Sequence, residues 1–238
     1  MRRYFKLGKQ KIVYDFTDEV VLITGAGQGI GEVTARAFAK SGAHVILVDW
    51  NNETVTKVRD ELASNHPGAT FIAIKADVSS PEDVNAMVKK SIDTFDRIDI
   101  LFNNAGVTKR GPIKDFTFED YRYIMKVNQD GTFLVAHSVG LTMIERQKGR
   151  IINNSSMSSF VVNRGRENCI YCISKAAVNM MTKAFAVEWV KYNVIVNAIA
   201  PGYDHAGGSY SGTGWRICNL VIEKLSNRGM KLLGGAYV

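Results

Sequence analysis

Short apolar runs recur along the chain, each closed by a small or polar residue and followed by a segment with helical spacing. Val20-Val21-Leu22-Ile23 is four apolar residues without a break, as in a strand buried on both faces. His44 to Asp49, Thr70 to Lys75, Ile98 to Phe102, Gly149 to Ile152 and Val194 to Ala200 read as further strands. Helices are predicted over Gly29 to about Lys40, Glu53 to Ser64, from Ser80-Pro81-Glu82-Asp83 onward, Phe118 to Arg146, and Cys169 to Lys191. Ser41-Gly42 ends the first helix, His66-Pro67-Gly68 breaks the second, and Pro81 sits in the first turn of the third. Strand and helix alternate six times, which predicts an α/β fold with a doubly wound, mostly parallel sheet and helices on both faces. No repeat, linker or low-complexity stretch divides it. Residues 1–19 read as an N-terminal arm and 20–238 as a single domain.

Right-handed crossovers place the turns after the strands along one edge of such a sheet, where ligands bind. Thr24-Gly25-Ala26-Gly27-Gln28-Gly29-Ile30-Gly31 stands where the first strand becomes the first helix. Unpaired N–H groups and partial positive charge at that helix start suit a pyrophosphate, and glycine lets it approach closely. The arrangement predicts a Rossmann-type dinucleotide domain, with Gly25, Gln28, Gly29, Ile30 and Gly31 as cofactor contacts. Asp49 ends the second strand, where a carboxylate bonds the adenine ribose and repels a 2′-phosphate. Its neighbours Trp50, Asn51, Asn52 and Gln28 include no Arg or Lys to pair with such a phosphate. NAD is therefore expected rather than NADP. Asp77, Asn104, Ser156 and Pro201-Gly202 also fall just past strand ends. Tyr171 and Lys175 lie at i and i+4, on one helix face. A cation there favours the phenolate and makes tyrosine a usable acid/base.

Composition changes this picture little. The 238 residues are 46% hydrophobic and 22% charged, an ordinary globular balance. No apolar run is long enough to cross a bilayer, and the basic start Met1-Arg2-Arg3-Tyr4-Phe5-Lys6 is not followed by an apolar h-region. The net charge of +7 includes Arg2, Arg3, Lys6, Lys9 and Lys11, a solvated arm without an aromatic-interleaved stripe. Neither nucleic acid nor membrane is expected as a partner. Three cysteines cannot make a paired framework, so a cytoplasmic setting is expected. Cys169 and Cys172 form Cys-x2-Cys without a second ligand pair, and no histidine groups with carboxylates at metal spacing. These are read as structural, with no metal.

Thr24–Gly31, Asn103-Asn104-Ala105-Gly106, Asn128, Ser156, Tyr171-x3-Lys175 and Pro201-Gly202, taken in order, resemble the short-chain dehydrogenase/reductase family over roughly residues 18–203. The resemblance implies that Tyr171 is the catalytic acid/base. Lys175 would lower the tyrosine pKa and bind the nicotinamide ribose. Ser156 would polarise the substrate oxygen, and Asn128 would hold a proton-relay water. Asp77 and Val78 would meet adenine, while Asn104-Ala105-Gly106 would wall the cofactor and Pro201 and Gly202 would lie against it. Ser155 to Ser159, Val162-Asn163-Arg164, the 15-residue step from Ser156 to Tyr171 and Ala186-Val187-Glu188-Trp189 are similar to the family's polyol and ketose dehydrogenases. Asn163, Arg164, Arg166, Glu167 and Asn168 are either contacts for substrate hydroxyls or a solvated loop. The resemblance implies hydride transfer between NAD and a small-molecule secondary alcohol or ketone, with a sugar alcohol and ketose first in order, in a homodimer or homotetramer. Alternatives are a 3-oxoacyl-carrier-protein or steroid-type reductase and, from another class, an inactive cofactor-binding protein.

Residues 204–238 depart from the family pattern. Asp204-His205-Ala206-Gly207-Gly208 stands where an aliphatic residue and a threonine usually meet the carboxamide. The family's final strand is not read here, which implies a truncated chain, a C-terminal third read wrongly or a diverged member. Ile217 to Leu225 reads as a short helix.

Overall fold

The computed structural model of the chain describes residues 14–202. Six parallel strands form one sheet in the order β3-β2-β1-β4-β5-β6. They are β1 (Val20–Thr24), β2 (His44–Asp49), β3 (Phe71–Lys75), β4 (Ile100–Asn103), β5 (Gly149–Asn154) and β6 (Val194–Ile199). The helices are α1 (Gly29–Lys40), α2 (Asn52–Asn65), α3 (Pro81–Phe95), α4 (Phe118–Met125), α5 (Gly131–Glu145) and α6 (Cys169–Trp189). The order reverses at β1 and β4, so the carboxyl ends of those strands open the crevice of a doubly wound sheet.

Alternation along β1 shows how the two layers form. Val21 and Ile23 pack with Phe38 of α1 and Val55, Val58 and Leu62 of α2. Val20 and Leu22 face the other way, onto Val84 and Met87 of α3 and Val135, Val139 and Met143 of α5. Trp189 of α6 joins that second layer. Both faces of β1 are apolar because both are covered, which is why it reads as an unbroken hydrophobic run.

Three departures from the sequence reading have local causes. The stretch 118–146 is one helical rod but not one regular helix, because Lys126–Asp130 winds as a π-helix between α4 and α5. The insertion falls on Asn128. Strand β4 begins at Ile100 rather than Ile98. The buried Asp99 carboxylate just before it accepts from Val20 N at 3.0 Å and is paired with Arg97 and Arg146. Helix α6 stops at Trp189 and gives way to a 3-10 turn over Val190–Tyr192 that ends on left-handed Asn193. The arm residues 1–13 and everything read from Tyr203 onward, including His205 and the helix at Ile217 to Leu225, lie outside the described residues.

Candidate functional site

The glycine turn leaves β1 and enters α1 through two left-handed glycines, Gly25 at φ 65° and Gly29 at φ 59°. Gly31 is required by crowding. A Cβ there would stand 2.0 Å from Gly25 O and 2.8 Å from Asn104 Nδ2. Gly29 is the opposite case, with nothing within 4 Å of a built Cβ. Its bare side is open space at the helix start. Helices α2, α3 and α4 are capped by the side chains of Asn51, Ser80 and Thr117, whereas Gln28 at the start of α1 makes no side-chain cap. An uncapped helix start behind an open glycine fits the pyrophosphate of a dinucleotide, by backbone N–H donors and helix dipole. Ile30 packs on the α1 side of the sheet.

Asp49 stands beside this turn. Its Oδ2 accepts from Gly27 N at 2.9 Å, and its Oδ1 accepts from Asn51 N at 3.0 Å. The carboxylate is thus fixed at the end of β2, where a ribose diol could bond it. Asp77 is exposed at the end of the next strand, and its Oδ1 accepts from the N–H and hydroxyl of Ser79. Val78 is buried against the start of α5, near Gly131.

Asn104 is a brace. Its Nδ2 donates to Thr24 O at 3.0 Å and to Gly25 O at 3.3 Å, and its backbone N–H donates to Thr24 Oγ1 at 2.9 Å. Ala105 N also donates to Thr24 Oγ1, at 3.0 Å. These bonds hold the loop after β4 against the glycine turn. Gly106 follows, and a Cβ on it would come within 3.2 Å of Asn128 Oδ1 and 3.4 Å of Lys175 Nζ.

Lys175 is buried on α6, and its Nζ donates to Asn154 O at 2.7 Å. The ammonium lies 5.7 Å from the centroid of the half-buried Tyr171 ring. Burial pushes the lysine pKa down from 10.5 to about 8. The ion still carries its charge at neutral pH, and no carboxylate is among the causes of the shift. Asn128 is fully buried in the π turn. Its Oδ1 accepts from Val107 N at 2.7 Å, and its Nδ2 donates to Val107 O at 2.9 Å and to Ser174 Oγ at 3.0 Å. The side chain is spent on fixing the loop after β4 and the helix of Tyr171. Ser156 is buried where β5 has ended, with Oγ accepting from Ser158 N at 3.1 Å. A hydroxyl that accepts there keeps its hydrogen to donate. Pro201 closes the rim, since its carbonyl accepts from Met157 N at 3.0 Å, and Gly202 lies against Met157.

Glycine turn, Asp49, Asn104–Gly106, Asn128, Ser156, Tyr171, Lys175 and Pro201 therefore share one edge of the sheet. Asp77 sits farther along it at the end of β3. Sequence reading missed Thr24 Oγ1, Ser174 and Asn154. Asn154 accepts from Lys175 through its backbone and donates 2.8 Å to Asn104 Oδ1 through its amide. Adjacency to Ser155-Ser156 is the only signal in the chain that points to it.

A family model described as short chain dehydrogenase matches residues 19–207. The chain is 43% identical to Oxidoreductase UcpA of Salmonella typhimurium over 187 residues, covering 79% of this chain and 70% of that one. It is 37% identical to a 3-oxoacyl-[acyl-carrier-protein] reductase of Synechocystis over 188 residues, covering 79% and 74%. The crystal structure of NAD+-bound xylitol dehydrogenase superposes with a TM-score of 0.76 at 31% identity, over 92% of this chain and 80% of that one.

Proposed function

The chain belongs to the short-chain dehydrogenase family, and on that premise we propose that it moves hydride between NAD and a secondary alcohol or ketone, a sugar alcohol and its ketose being the first substrate class. The observation that carries the reading is the buried ammonium of Lys175 set 5.7 Å from the Tyr171 ring. An interior cation without a carboxylate partner among the described residues is costly, and it gains a use where a phenolate must be stabilised.

When bound, the nicotinamide supplies the hydride acceptor or donor. Tyr171 takes the proton of the alcohol hydroxyl as the C–H bond breaks, and returns it to the carbonyl oxygen in reduction. Lys175 stabilises the phenolate that this requires and offers its remaining donors to the nicotinamide ribose. Ser156 donates its hydroxyl hydrogen to the reacting oxygen. Asn128 holds Val107 and Ser174 in place and is the candidate for holding a relay water. Gly25, Gln28, Gly29, Ile30 and Gly31 cradle the pyrophosphate. Asn104, Ala105, Gly106, Pro201 and Gly202 line the cofactor, with Asp77 and Val78 at the adenine end.

Asp49 supports NAD over NADP, because a fixed carboxylate would face the 2′-phosphate. The likeness to NAD+-bound xylitol dehydrogenase and the polar loop Asn163 to Asn168 support a polyol. A 3-oxoacyl-carrier-protein reductase is the second reading, supported by the Synechocystis relative. Exposed Phe133, Leu141, Met180 and Val187 on α5 and α6 support a homodimer or homotetramer.

The test follows nicotinamide absorbance with NAD or NADP against polyols, ketoses and 3-oxoacyl thioesters, beside Tyr171→Phe. Polyol-dependent reduction of NAD, lowered on the order of 100-fold or more in the variant with NAD binding kept, is the expected result. Turnover of the thioester alone favours the second reading. NAD binding without any turnover overturns both and leaves an inactive cofactor-binding protein.

A further inference from the structure

Helix α6 begins at Cys169, so Cys169 and Cys172 occupy its first turn on either side of Tyr171. Residues three apart on an α-helix have Cα atoms about 5 Å apart and share a face. That Cα spacing lies inside the range of roughly 4.4–6.8 Å that a disulfide accepts, and the Cβ atoms, about 5–6 Å apart on a regular helix, must close to about 3.5–4.5 Å. Both thiols are free, Cys169 half-buried and Cys172 buried. The Cys172 sulfur is held in two directions. Its thiol donates to Asn168 Oδ1 at 3.5 Å, and the Ser158 side chain is hydrogen-bonded to it. Ser158 in turn gives its backbone N–H to Ser156 Oγ. One sulfur thus touches the turn that positions Ser156, from the helical turn that carries Tyr171.

We propose that Cys169 and Cys172 are a redox modification site, a vicinal dithiol that peroxide closes to a disulfide across Tyr171 and thereby switches the enzyme off. The effect on activity rests on the roles given above to Tyr171 and Ser156; the disulfide does not. Burial, and then the nearby Cys169, raise the Cys172 pKa, so the more exposed Cys169 is the thiol that reacts first. Its thiolate attacks one peroxide oxygen, the O–O bond breaks, and the departing hydroxide takes a proton to become water. The sulfenic acid left on Cys169 is then attacked by the Cys172 sulfur. The S–O bond breaks, the thiol proton leaves with the hydroxyl as a second water, and the S–S bond forms. Two electrons pass from the sulfur pair to peroxide. Closure draws the Cys172 sulfur toward Cys169 and off Ser158, which loosens the support of Ser156 and tightens the turn of Tyr171.

Trypsin cuts after Arg166 and Lys175, so one peptide, Glu167 to Lys175, carries both cysteines. The full-length protein, with Cys218 replaced by serine, is treated with stoichiometric hydrogen peroxide and digested without reductant. The expected result is that peptide lighter by about 2 Da, the two hydrogens lost. Turnover should fall with it on the order of 100-fold, the cost of a small misplacement of reacting groups. Dithiothreitol should restore both, NAD affinity should be unchanged, and Cys169→Ser or Cys172→Ala should abolish the response. A peptide that stays reduced, or gains oxygen instead of losing hydrogen, overturns the site. A disulfide that leaves turnover intact overturns the switch. If no substrate turns over at all, the functional reading fails, and the dithiol stands or falls on the peptide mass.

Discussion

Lys175→Met separates what the lysine does for chemistry from what it does to stability. Burial lowers the lysine pKa from 10.5 to about 8. At about 1.36 kcal/mol per unit, keeping the ion charged inside the fold costs about 3 kcal/mol relative to the neutral amine. Methionine keeps most of the stem and removes the charge. It also removes the 2.7 Å bond to Asn154 O, which a charged donor makes worth about 1.5–3 kcal/mol. The two terms nearly cancel, so the variant should match the parent at about pH 7 to within about 1–2 kcal/mol.

The signature lies in the pH dependence. Above the folded pKa the native lysine has lost its proton while the unfolded one keeps it, so the unfolded state binds more protons and stability rises with pH. A folded value of about 8 makes the parent gain on the order of 1 kcal/mol over the variant between about pH 7 and about pH 9. For a chain of this length that is a few degrees, about 2–4 °C, in melting temperature. Thermal melts of both proteins at the two pH values read it directly, without cofactor. Parallel curves, with no relative gain for the parent, would refute the claim that the ammonium is buried at a cost. In the same variant turnover should fall on the order of 100- to 10,000-fold, because the phenolate of Tyr171 loses its counter-cation.

Asp49→Ala should raise the NADP/NAD ratio of kcat/KM by about tenfold or more, since a charge facing the 2′-phosphate is removed. An unchanged ratio would remove Asp49 from cofactor choice. Gly31→Ala forces a Cβ to 2.0 Å from Gly25 O, and should lower stability by about 1–3 kcal/mol with loss of dinucleotide affinity. Gly29→Ala meets no atom, so it should cost only about 1–2 kcal/mol for its positive φ while still weakening dinucleotide binding. Titration calorimetry together with melts separates the two glycines, and equal melting temperatures would contradict the crowding at Gly31.

The sheet was legible because its inner strands β1, β2 and β4 are buried on both faces and show as apolar runs closed by a polar or glycine turn, while the edge strands β3 and β6 are partly exposed and less regular. The edge of the site was legible for the same reason: Gly25 to Gly31, Asp49, Asn104 and Ser156 each follow such a run. What the runs cannot carry is how polar groups are spent. Asn128 and Asn104 look alike in sequence as side chains that meet a cofactor or a water. In the fold both amides are consumed by protein partners, Val107 and Ser174 for Asn128, and Thr24, Gly25 and Asn154 for Asn104. The π turn around Asn128 was hidden because apolar spacing over 118–146 reports helix but not which carbonyl each N–H bonds. Cys169 and Cys172 read as structural without a second ligand pair, and only the bonds of Cys172 to Asn168 and Ser158 give them a context.

Those spent amides explain why the edge holds its geometry. Successive residues of β5 point to opposite faces of the sheet, and each picks up a line of hydrogen bonds. On one face Thr24 Oγ1 donates to Asn103 Oδ1 at 3.4 Å. Asn103 Nδ2 donates to Asn153 Oδ1 at 3.2 Å, and Asn153 Nδ2 donates to Thr182 Oγ1 of α6 at 2.9 Å. On the other face Asn154 donates to Asn104, Asn104 donates to the carbonyls of the glycine turn, and Lys175 donates back to Asn154. Two lines therefore run from the turn after β1 to α6, one ending on Thr182 and one on Lys175. Breaking the buried Asn103–Asn153–Thr182 line leaves donors or acceptors unmet at about 1–3 kcal/mol each, and the part-buried Asn104–Asn154–Lys175 line adds a smaller cost. Helix α6 cannot drift from the glycine turn without that cost. The distance between the dinucleotide cradle and the Tyr171–Lys175 pair is thereby fixed by buried polar bonds in the sheet rather than by the loops that face the substrate, which leaves those loops free to differ in what they bind.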